Sequence, residues 1–156
     1  MFKKVLIANR GAVAARIIRA LKKLGILSVA VYSEADAAAP YLKEADEALL
    51  IGPGPAKESY LNQDALFKAI KDSGADAVHP GYGFLSENAG FARALESRGV
   101  AFIGPSPDWL EKMGDKVESR KLMAEYGVPM LVASPLLPDD EAAIVAEGER
   151  IGFPLL

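Results

Sequence analysis

Three short segments combine glycine or proline with polar side chains, and each directly follows an apolar run. They are Asn9-Arg10-Gly11, residues 79–84 and Gly104-Pro105-Ser106. Parallel α/β sheets bind ligands in the crevice beyond the carboxyl ends of their strands. If the apolar runs are parallel strands, the three segments meet at one edge of a sheet, where their side chains and backbone amides could bind a polar substrate.

The second segment, His79-Pro80-Gly81-Tyr82-Gly83-Phe84, contains the only histidine of the chain. Its glycines would let the backbone approach a ligand closely, so we favour one wall of a binding site. The alternative is a turn whose aromatic rings cap the core. For His79 by itself we favour a hydrogen bond to the backbone, because one histidine without a neighbouring carboxylate forms neither a metal site nor a catalytic triad.

Lys116 follows Gly114-Asp115 at the start of a predicted helix. Helix N-terminal amides attract phosphate, and a lysine there adds a point charge. Such a contact is worth roughly 1.5–3 kcal/mol, although most lysines at helix starts are simply solvated. The G-x-G-x-x-G fingerprint is not matched by Asn9-Arg10-Gly11, and no P-loop pattern occurs. A nicotinamide-dependent dehydrogenase is therefore not favoured.

Apolar runs of strand length alternate with segments of helical periodicity through the first two thirds of the chain. The spacing of the first two runs is that of a β-α-β unit, whose strands are parallel. The predicted strands cover residues 5–8, 27–32, 48–51, 75–78 and 100–103. The pattern indicates an α/β fold with a mainly parallel sheet.

Helices must connect these strands. The first predicted helix begins at Ala12, and Gly25 is typical of the position that follows a helix. A second helix is predicted over residues 61–73, and Ser86 is the predicted N-cap of a third that ends at Ser97. The stripe of the first helix that should face the sheet comprises Val13, Ile17, Leu21 and Leu24.

The pattern changes after residue 104, where we place a domain boundary. Residues 1–104 form the predicted first domain, and residues 105–156 form linker helices and the start of a second. Residues 152–156 are typical of the beginning of a strand. The helices predicted in this part cover residues 108–113, 116–126 and 139–151.

Composition excludes several classes of protein. The net charge is −3, whereas a nucleic-acid-binding domain normally carries a basic excess. The chain has no cysteine, which excludes disulfides, thiolate catalysis and cysteine-ligated zinc. The apolar start of the chain is too short for a signal peptide, and no run approaches the ~18 apolar residues of a membrane span. We therefore expect a cytoplasmic protein that binds neither nucleic acid nor membrane.

A basic face lies on the first predicted helix, where Arg16, Arg19 and Lys23 are three or four residues apart. Such a face is usually solvated. The alternative is an interface with an acidic partner surface.

Several stretches together resemble the biotin carboxylase family. The ten residues from His79 are the most specific of them, and the resemblance covers essentially the whole chain. The matching stretches are residues 4–11, 30–33 with Asp36, 45–47, 59–62, 79–88, 102–105 and 113–116.

This resemblance implies a Rossmann-like pre-ATP-grasp domain, followed by the incomplete start of an ATP-grasp domain. It implies a ligase that uses MgATP to activate bicarbonate and carboxylates biotin on a carrier domain. Lys116 is similar to the family's first ATP-contacting lysine, and Tyr82 to the wall beside biotin. Arg16 and Arg19 match arginines at the dimer interface of bacterial members. Implied partners are the remaining parts of the enzyme, the biotin carboxyl carrier domain and a second copy of the chain.

Two positions depart from the family. Ala12 replaces a frequent glutamate, and Lys23 replaces the glutamate of the dimeric bacterial subunit. Ala12 and residues 127–137 are closer to urea carboxylase (urea amidolyase), whereas Gly114-Asp115-Lys116 follows the acyl-CoA and pyruvate carboxylase pattern. We favour no final carboxyl acceptor.

The resemblance also implies that a second ATP lysine, a glycine-rich loop and metal-binding glutamates would follow residue 156. The 156-residue chain alone is therefore expected to be catalytically inactive. Two alternatives stay open. One is another ATP-grasp ligase, such as a carbamoyl-phosphate synthase subunit, and the other is a free-standing, non-catalytic α/β binding module.

Overall fold

A computed structural model describes residues 1–155 and contains one five-stranded parallel sheet. The strand order is β3-β2-β1-β4-β5, so β1 lies in the centre. Every neighbouring pair is parallel, as the alternation of strands and helices predicts. The strands are β1 Lys4–Ile7, β2 Leu27–Ser33, β3 Glu47–Gly52, β4 Ala77–His79 and β5 Ala101–Phe102.

Helices cover both faces of this sheet. On one face, α1 (Gly11–Lys23) packs on Val5 and Ile7 through an apolar cluster. On the other face, α2 (Gln63–Ser73) and α3 (Ala89–Glu96) pack on Leu6 through a second cluster. Successive side chains of a strand point to opposite faces, and both faces of β1 are buried. This explains its continuous apolar sequence.

The chain divides into two compact units, Met1–Glu111 and a second that begins at Lys112. The helix α4, Pro107–Gly114, runs across the division. In the second unit, arginine side chains of α5 (Lys116–Glu125) and α6 (Glu141–Ile151) donate hydrogen bonds to carbonyls of the segment between the two helices. Arg120 donates to the Leu131 carbonyl at 2.7 Å. The domain boundary predicted between residues 104 and 105 stays a prediction.

The third helix begins later than predicted. Ser86 and Asn88 both lie in tight turns, because their amides donate to the carbonyls of Gly83 and Leu85. Helical geometry starts only at Ala89, and the Asn88 side chain accepts a hydrogen bond from the Phe91 amide at 2.8 Å. The N-cap is therefore Asn88, and the prediction of Ser86 was wrong.

Two smaller differences concern apolar residues at element ends. Leu24 caps α1 at its C-terminus and is 61% exposed, whereas Ile26 takes the buried place that the predicted stripe gave to Leu24. Gly25 has φ +68°, as expected of a residue that follows a helix. Residues 152–155 form no strand, and Leu156, the last residue of that predicted strand, lies outside the described residues.

Candidate functional site

The carboxyl ends of β1, β4 and β5 bring the three predicted loops to one edge of the sheet. The Ala8 amide donates to the His79 carbonyl at 3.0 Å, and the Ile103 amide donates to the Val78 carbonyl at 2.9 Å. The loops after these strands therefore begin side by side, at the edge where parallel sheets bind ligands. We call residues 79–84 the Tyr82 loop.

Asn9, two residues after the end of β1, contacts the backbone of the Tyr82 loop. Its side chain is buried, and Nδ2 donates to the Pro80 carbonyl at 2.8 Å and to the Tyr82 carbonyl at 2.9 Å. The Oδ1 atom accepts from the Arg10 amide at 2.9 Å. Both ends of this buried amide are therefore satisfied, which a buried polar group requires.

Arg10 connects the Tyr82 loop to the segment after β2. Its guanidinium lies 5.6 Å from the ring centroid of Tyr60 and 6.0 Å from that of Phe84. These two rings are stacked, with centroids 5.1 Å apart. The Arg10 Nη1 atom also lies 3.3 Å from a carboxylate oxygen of Asp36. A cation over aromatic faces, paired with a carboxylate, fixes both its position and its orientation.

Asp36 is the centre of this polar cluster. Its carboxylate accepts from the Tyr60 hydroxyl at 2.6 Å and from the Ser33 hydroxyl at 3.1 Å, in addition to Arg10. Burial raises the pKa of Asp36, but the hydrogen bonds from Tyr60, Arg10 and Ser33 outweigh it and hold the pKa below its ordinary value. The carboxylate is therefore charged near neutral pH and can anchor the guanidinium of Arg10.

Sequence reasoning did not assign Asp36 and Tyr60 to the site. They lie in different loops, and their contact joins positions that are 24 residues apart. No periodicity connects such positions. The one available signal was that both belong to stretches that resemble the biotin carboxylase family.

His79 has the structural role that its isolation in the sequence favours. Its Nδ1 atom accepts a hydrogen bond from the Gly81 amide at 3.0 Å, within the same loop. Burial lowers the pKa of the imidazole. The ring is therefore neutral at physiological pH and acts as an acceptor that shapes the turn.

Tyr82 projects from the loop into solvent and is 83% exposed. It borders a groove of about 610 Å³ between the loop and α1. Arg16 and Leu24 line this groove from α1, and Phe2 lines it from the N-terminal segment. The structure therefore places Tyr82 and Arg16, which were predicted for different roles, on the same apolar groove.

Arg19 differs from Arg16 in its contacts. Its guanidinium forms a two-point ion pair with Glu44, at 2.7 and 2.8 Å. The hydrogen bond and the charge of Arg19 lower the pKa of Glu44. Arg16 forms no ion pair within residues 1–155. Of the two predicted interface arginines, Arg16 has the side chain that is free to meet a partner.

Lys116 lies in the second compact unit, at the first residue of α5. The Asp115 carboxylate already accepts from the amides of Val117 and Glu118, at 2.7 and 3.0 Å, and these bonds lower its pKa. Two amides at the start of α5, those of Val117 and Glu118, are therefore bonded within the protein and are not open to a phosphate. The Lys116 ammonium is exposed and makes no ion pair within the described part of the chain. Its side-chain charge is what it can offer a nucleotide.

Two features are absent from residues 1–155. No group of three or more His, Cys, Asp or Glu side chains is arranged to hold a metal ion. Among the same residues, no helix has both the length and the apolar character that crossing a membrane requires.

Comparison with known proteins gives a consistent result. Residues 1–110 match the family model described as biotin carboxylase, N-terminal domain. The chain is 51% identical to a biotin carboxylase of Halalkalibacterium halodurans over 156 residues, which are all of this chain but 34% of that protein. The chain thus spans about a third of this relative's length.

Solved structures that superpose on this chain are also biotin-dependent carboxylases or related enzymes. The biotin carboxylase domain dimer of the Hydrogenobacter thermophilus 2-oxoglutarate carboxylase, in complex with MgADP, ADP and bicarbonate, superposes with a TM-score of 0.91 at 46% identity, covering 99% of this chain and 34% of that one. The urea amidolyase of K. lactis superposes with a TM-score of 0.81 at 43% identity, covering 83% of this chain and 8% of that one.

A parallel sheet covered on both faces, with its irregular loops gathered beyond the carboxyl ends of β1, β4 and β5, defines a Rossmann-like α/β ligand-binding domain. Within that class, the chain belongs to the biotin carboxylase N-terminal domain family. The resemblance seen in the sequence is confirmed.

Proposed function

We propose that this chain is the N-terminal portion of a biotin carboxylase, an ATP-dependent ligase that uses MgATP and bicarbonate to carboxylate carrier-bound biotin. The observation that carries this proposal is the family match over residues 1–110, which includes the whole Tyr82 loop. The complex of the related 2-oxoglutarate carboxylase domain with MgADP and bicarbonate supports the same chemistry.

In this proposal the first compact unit builds one wall of the active-site cleft. The exposed ring of Tyr82 offers a flat apolar face and a hydroxyl, which suits a partly apolar bicyclic ligand such as biotin. Asn9 and Arg10 do not contact the ligand in this scheme. They shape the loop that carries Tyr82.

Lys116 is the residue of this chain proposed to contact ATP. Its ammonium would act as a point charge on a phosphate, since Asp115 occupies two of the amides at the start of α5. MgATP supplies the phosphoryl group that activates bicarbonate. We assign the magnesium ion to no side chain among residues 1–155, because none of them forms a suitable group.

We further propose that α1 contributes to a dimer interface. Arg16 is unpaired within the described residues and lines an apolar groove of about 610 Å³. A partner surface with apolar side chains and a carboxylate would complement it. The related domain of Hydrogenobacter thermophilus is described as a dimer.

The ATP-grasp assignment of residues 105–156, the carrier-domain partner and the cytoplasmic location stay predictions.

ATP hydrolysis that depends on both bicarbonate and free biotin tests the proposal. It would be measured on the protein expressed from its complete reading frame. We expect Tyr82→Ala to raise the KM for biotin, with the KM for ATP unchanged, and Lys22→Ala, on the exposed side of α1, to change neither. An intact protein that hydrolyses no ATP under these conditions would overturn the proposal and favour the non-catalytic α/β module.

A further inference from the structure

We infer that Asn9 and Arg10 are positioning residues that together set the conformation of the Tyr82 loop. Through the loop backbone they set the place of the Tyr82 side chain. The conformational part of this inference stands on contacts alone. Only the role of Tyr82 at a ligand rests on the proposed function.

The loop needs external support because its backbone is unusual. Gly81 and Gly83 have φ values of +69° and +72°, and Phe84 has φ +44° without being a glycine. A residue with a side chain adopts this conformation only when its surroundings hold it there. Three of four consecutive residues are thus in the left-handed region, and the loop would relax if its contacts were removed.

Tyr82 cannot hold itself in place. Its side chain is 83% exposed and makes no hydrogen bond with any residue from 1 to 155. The place from which the Tyr82 side chain projects therefore depends on where the backbone of the loop lies. Besides the hydrogen bond that His79 accepts from the Gly81 amide, that backbone has two supports from the short segment between β1 and α1.

The first support is the Asn9 amide. It donates to the carbonyls of Pro80 and Tyr82, one on each side of Gly81. Asn9 is only 3% exposed, so water cannot easily replace these bonds. Without the Asn9 amide, the carbonyls of Pro80 and Tyr82 would lose this hydrogen-bond donor. The turn at Gly81 would then no longer be held on both sides.

The second support is the Arg10 guanidinium, which holds the far end of the loop. It lies over both the Phe84 ring and the Tyr60 ring, and it is anchored to Asp36. Tyr60 stacks on Phe84 and donates its hydroxyl hydrogen to the same Asp36 carboxylate. Phe84 is thus held against a surface of two planar groups, and both are fixed by one carboxylate.

The two supports are joined to each other. The Asn9 Oδ1 atom accepts from the Arg10 amide, which fixes the direction in which the Arg10 side chain leaves the backbone. One dipeptide therefore holds the loop at Pro80 and Tyr82 through one residue and at Phe84 through the other.

Hydrogen exchange and ¹⁹F NMR on the 156-residue chain test the inference. The chain would be labelled with 3-fluorotyrosine, and Tyr82→Phe would assign the Tyr82 resonance. We expect Arg10→Met to shift or broaden that resonance and to speed amide exchange at least tenfold at Ser86, whose amide donates to the Gly83 carbonyl. Arg10→Lys keeps the charge for Asp36 and should recover part of both effects. Lys22→Met, an exposed substitution on α1, is the matched control.

Asn9→Ser is the second variant, because Asn9→Ala could prevent folding. It should speed exchange most around Gly81. The inference is overturned if Arg10→Met leaves the Tyr82 resonance and the loop exchange rates within twofold of the control. It is also overturned if exchange speeds up equally in β1 and β4, since that would be a general loss of stability.

Steady-state kinetics on the protein from its complete reading frame connect the loop to the ligand. We expect Arg10→Met to raise the KM for biotin several-fold with little change in the KM for ATP. If the wild-type protein shows no biotin-dependent turnover, the proposed function fails, while the exchange and NMR measurements still decide whether Asn9 and Arg10 position the loop.

Discussion

The side-chain nitrogen of Asn9 lies so close to Gly81 that a Cβ atom on Gly81 would approach it to 2.7 Å. Val13 would be equally close to that atom. Asn9 cannot move away, because its amide is held by the carbonyls of Pro80 and Tyr82. The glycine is therefore required for space as well as for its positive φ.

Gly81→Ala should consequently destabilise the first compact unit more than Gly83→Ala. Both glycines have positive φ, but a Cβ on Gly83 meets no atom within 4 Å. The left-handed backbone costs about 1–2 kcal/mol in either variant, and overpacking adds about 1–3 kcal/mol in Gly81→Ala alone. Urea unfolding measures the difference. Equal losses in the two variants would show that Asn9 gives way easily.

Asn88→Ala should lower the free energy of unfolding by about 1 kcal/mol, because it removes the N-cap of α3. Ser86→Ala should change it by less than about 0.5 kcal/mol, since the Ser86 contact is made by its backbone amide. The pair can be compared by chemical denaturation in one buffer. A larger effect at Ser86 would restore the cap position that the sequence suggested.

His79 should make stability depend on pH from about 7 downward, as the pH falls through the ordinary histidine pKa. Burial lowers its pKa in the folded protein below the ordinary value of 6.5, so the unfolded chain binds the proton more readily. The free energy of unfolding therefore falls as the pH drops through 6.5. Because His79 is the only histidine, His79→Gln should flatten this part of the profile. If the free energy of unfolding changed with pH equally in the wild type and in His79→Gln, protonation of the His79 ring would not destabilise the fold.

Lys116→Ala should weaken ATP binding by the protein from the complete reading frame roughly tenfold to a hundredfold, the effect of one charge-assisted contact. The matched control is Lys121→Ala on the same helix, where the ammonium pairs with Glu118 at 2.7 Å. Isothermal titration calorimetry gives both affinities. If the control loses as much affinity as Lys116→Ala, the effect comes from α5 as a whole and not from the Lys116 charge.

Arg16→Glu should weaken self-association at the proposed α1 interface about tenfold or more, because the unpaired cation would be replaced by a like charge toward a partner carboxylate. Lys22→Glu introduces the same change of charge in the same helix and should have a smaller effect. Analytical ultracentrifugation of the protein from the complete reading frame measures the dimer dissociation constant. Equal effects of the two variants would indicate a general charge effect instead of a specific interface.

Much of the fold follows from local patterns in the sequence. The apolar runs predicted β1 to β5 within a few residues, because strands buried on both faces need continuous apolar side chains. The sequence also predicted the positive φ of Gly25, because the apolar stripe of the first helix ends just before it and a glycine that follows a helix commonly has positive φ. The meeting of three loops at one edge follows as well, since parallel strands have their carboxyl ends on the same side.

Where two residues have equally good local sequence signals for the same role, only the tertiary structure shows which of them has it. Ser86 and Asn88 are both good N-cap residues, and the turns that begin at Gly83 and Leu85 decided between them. Lys116 lies at a helix start, as the sequence indicates, but the side chain of Asp115 occupies two of the amides that made this position attractive for phosphate.

By itself, the sequence determined the parallel α/β class, the edge at which a ligand site would form and the family to which the chain belongs. Only the tertiary structure decided how that site is held. Arg10, Asp36 and Tyr60 come from three separate segments, and Phe84 from a fourth. Their contacts depend on the folding of the whole sheet, because nothing in local periodicity relates residues that far apart along the chain.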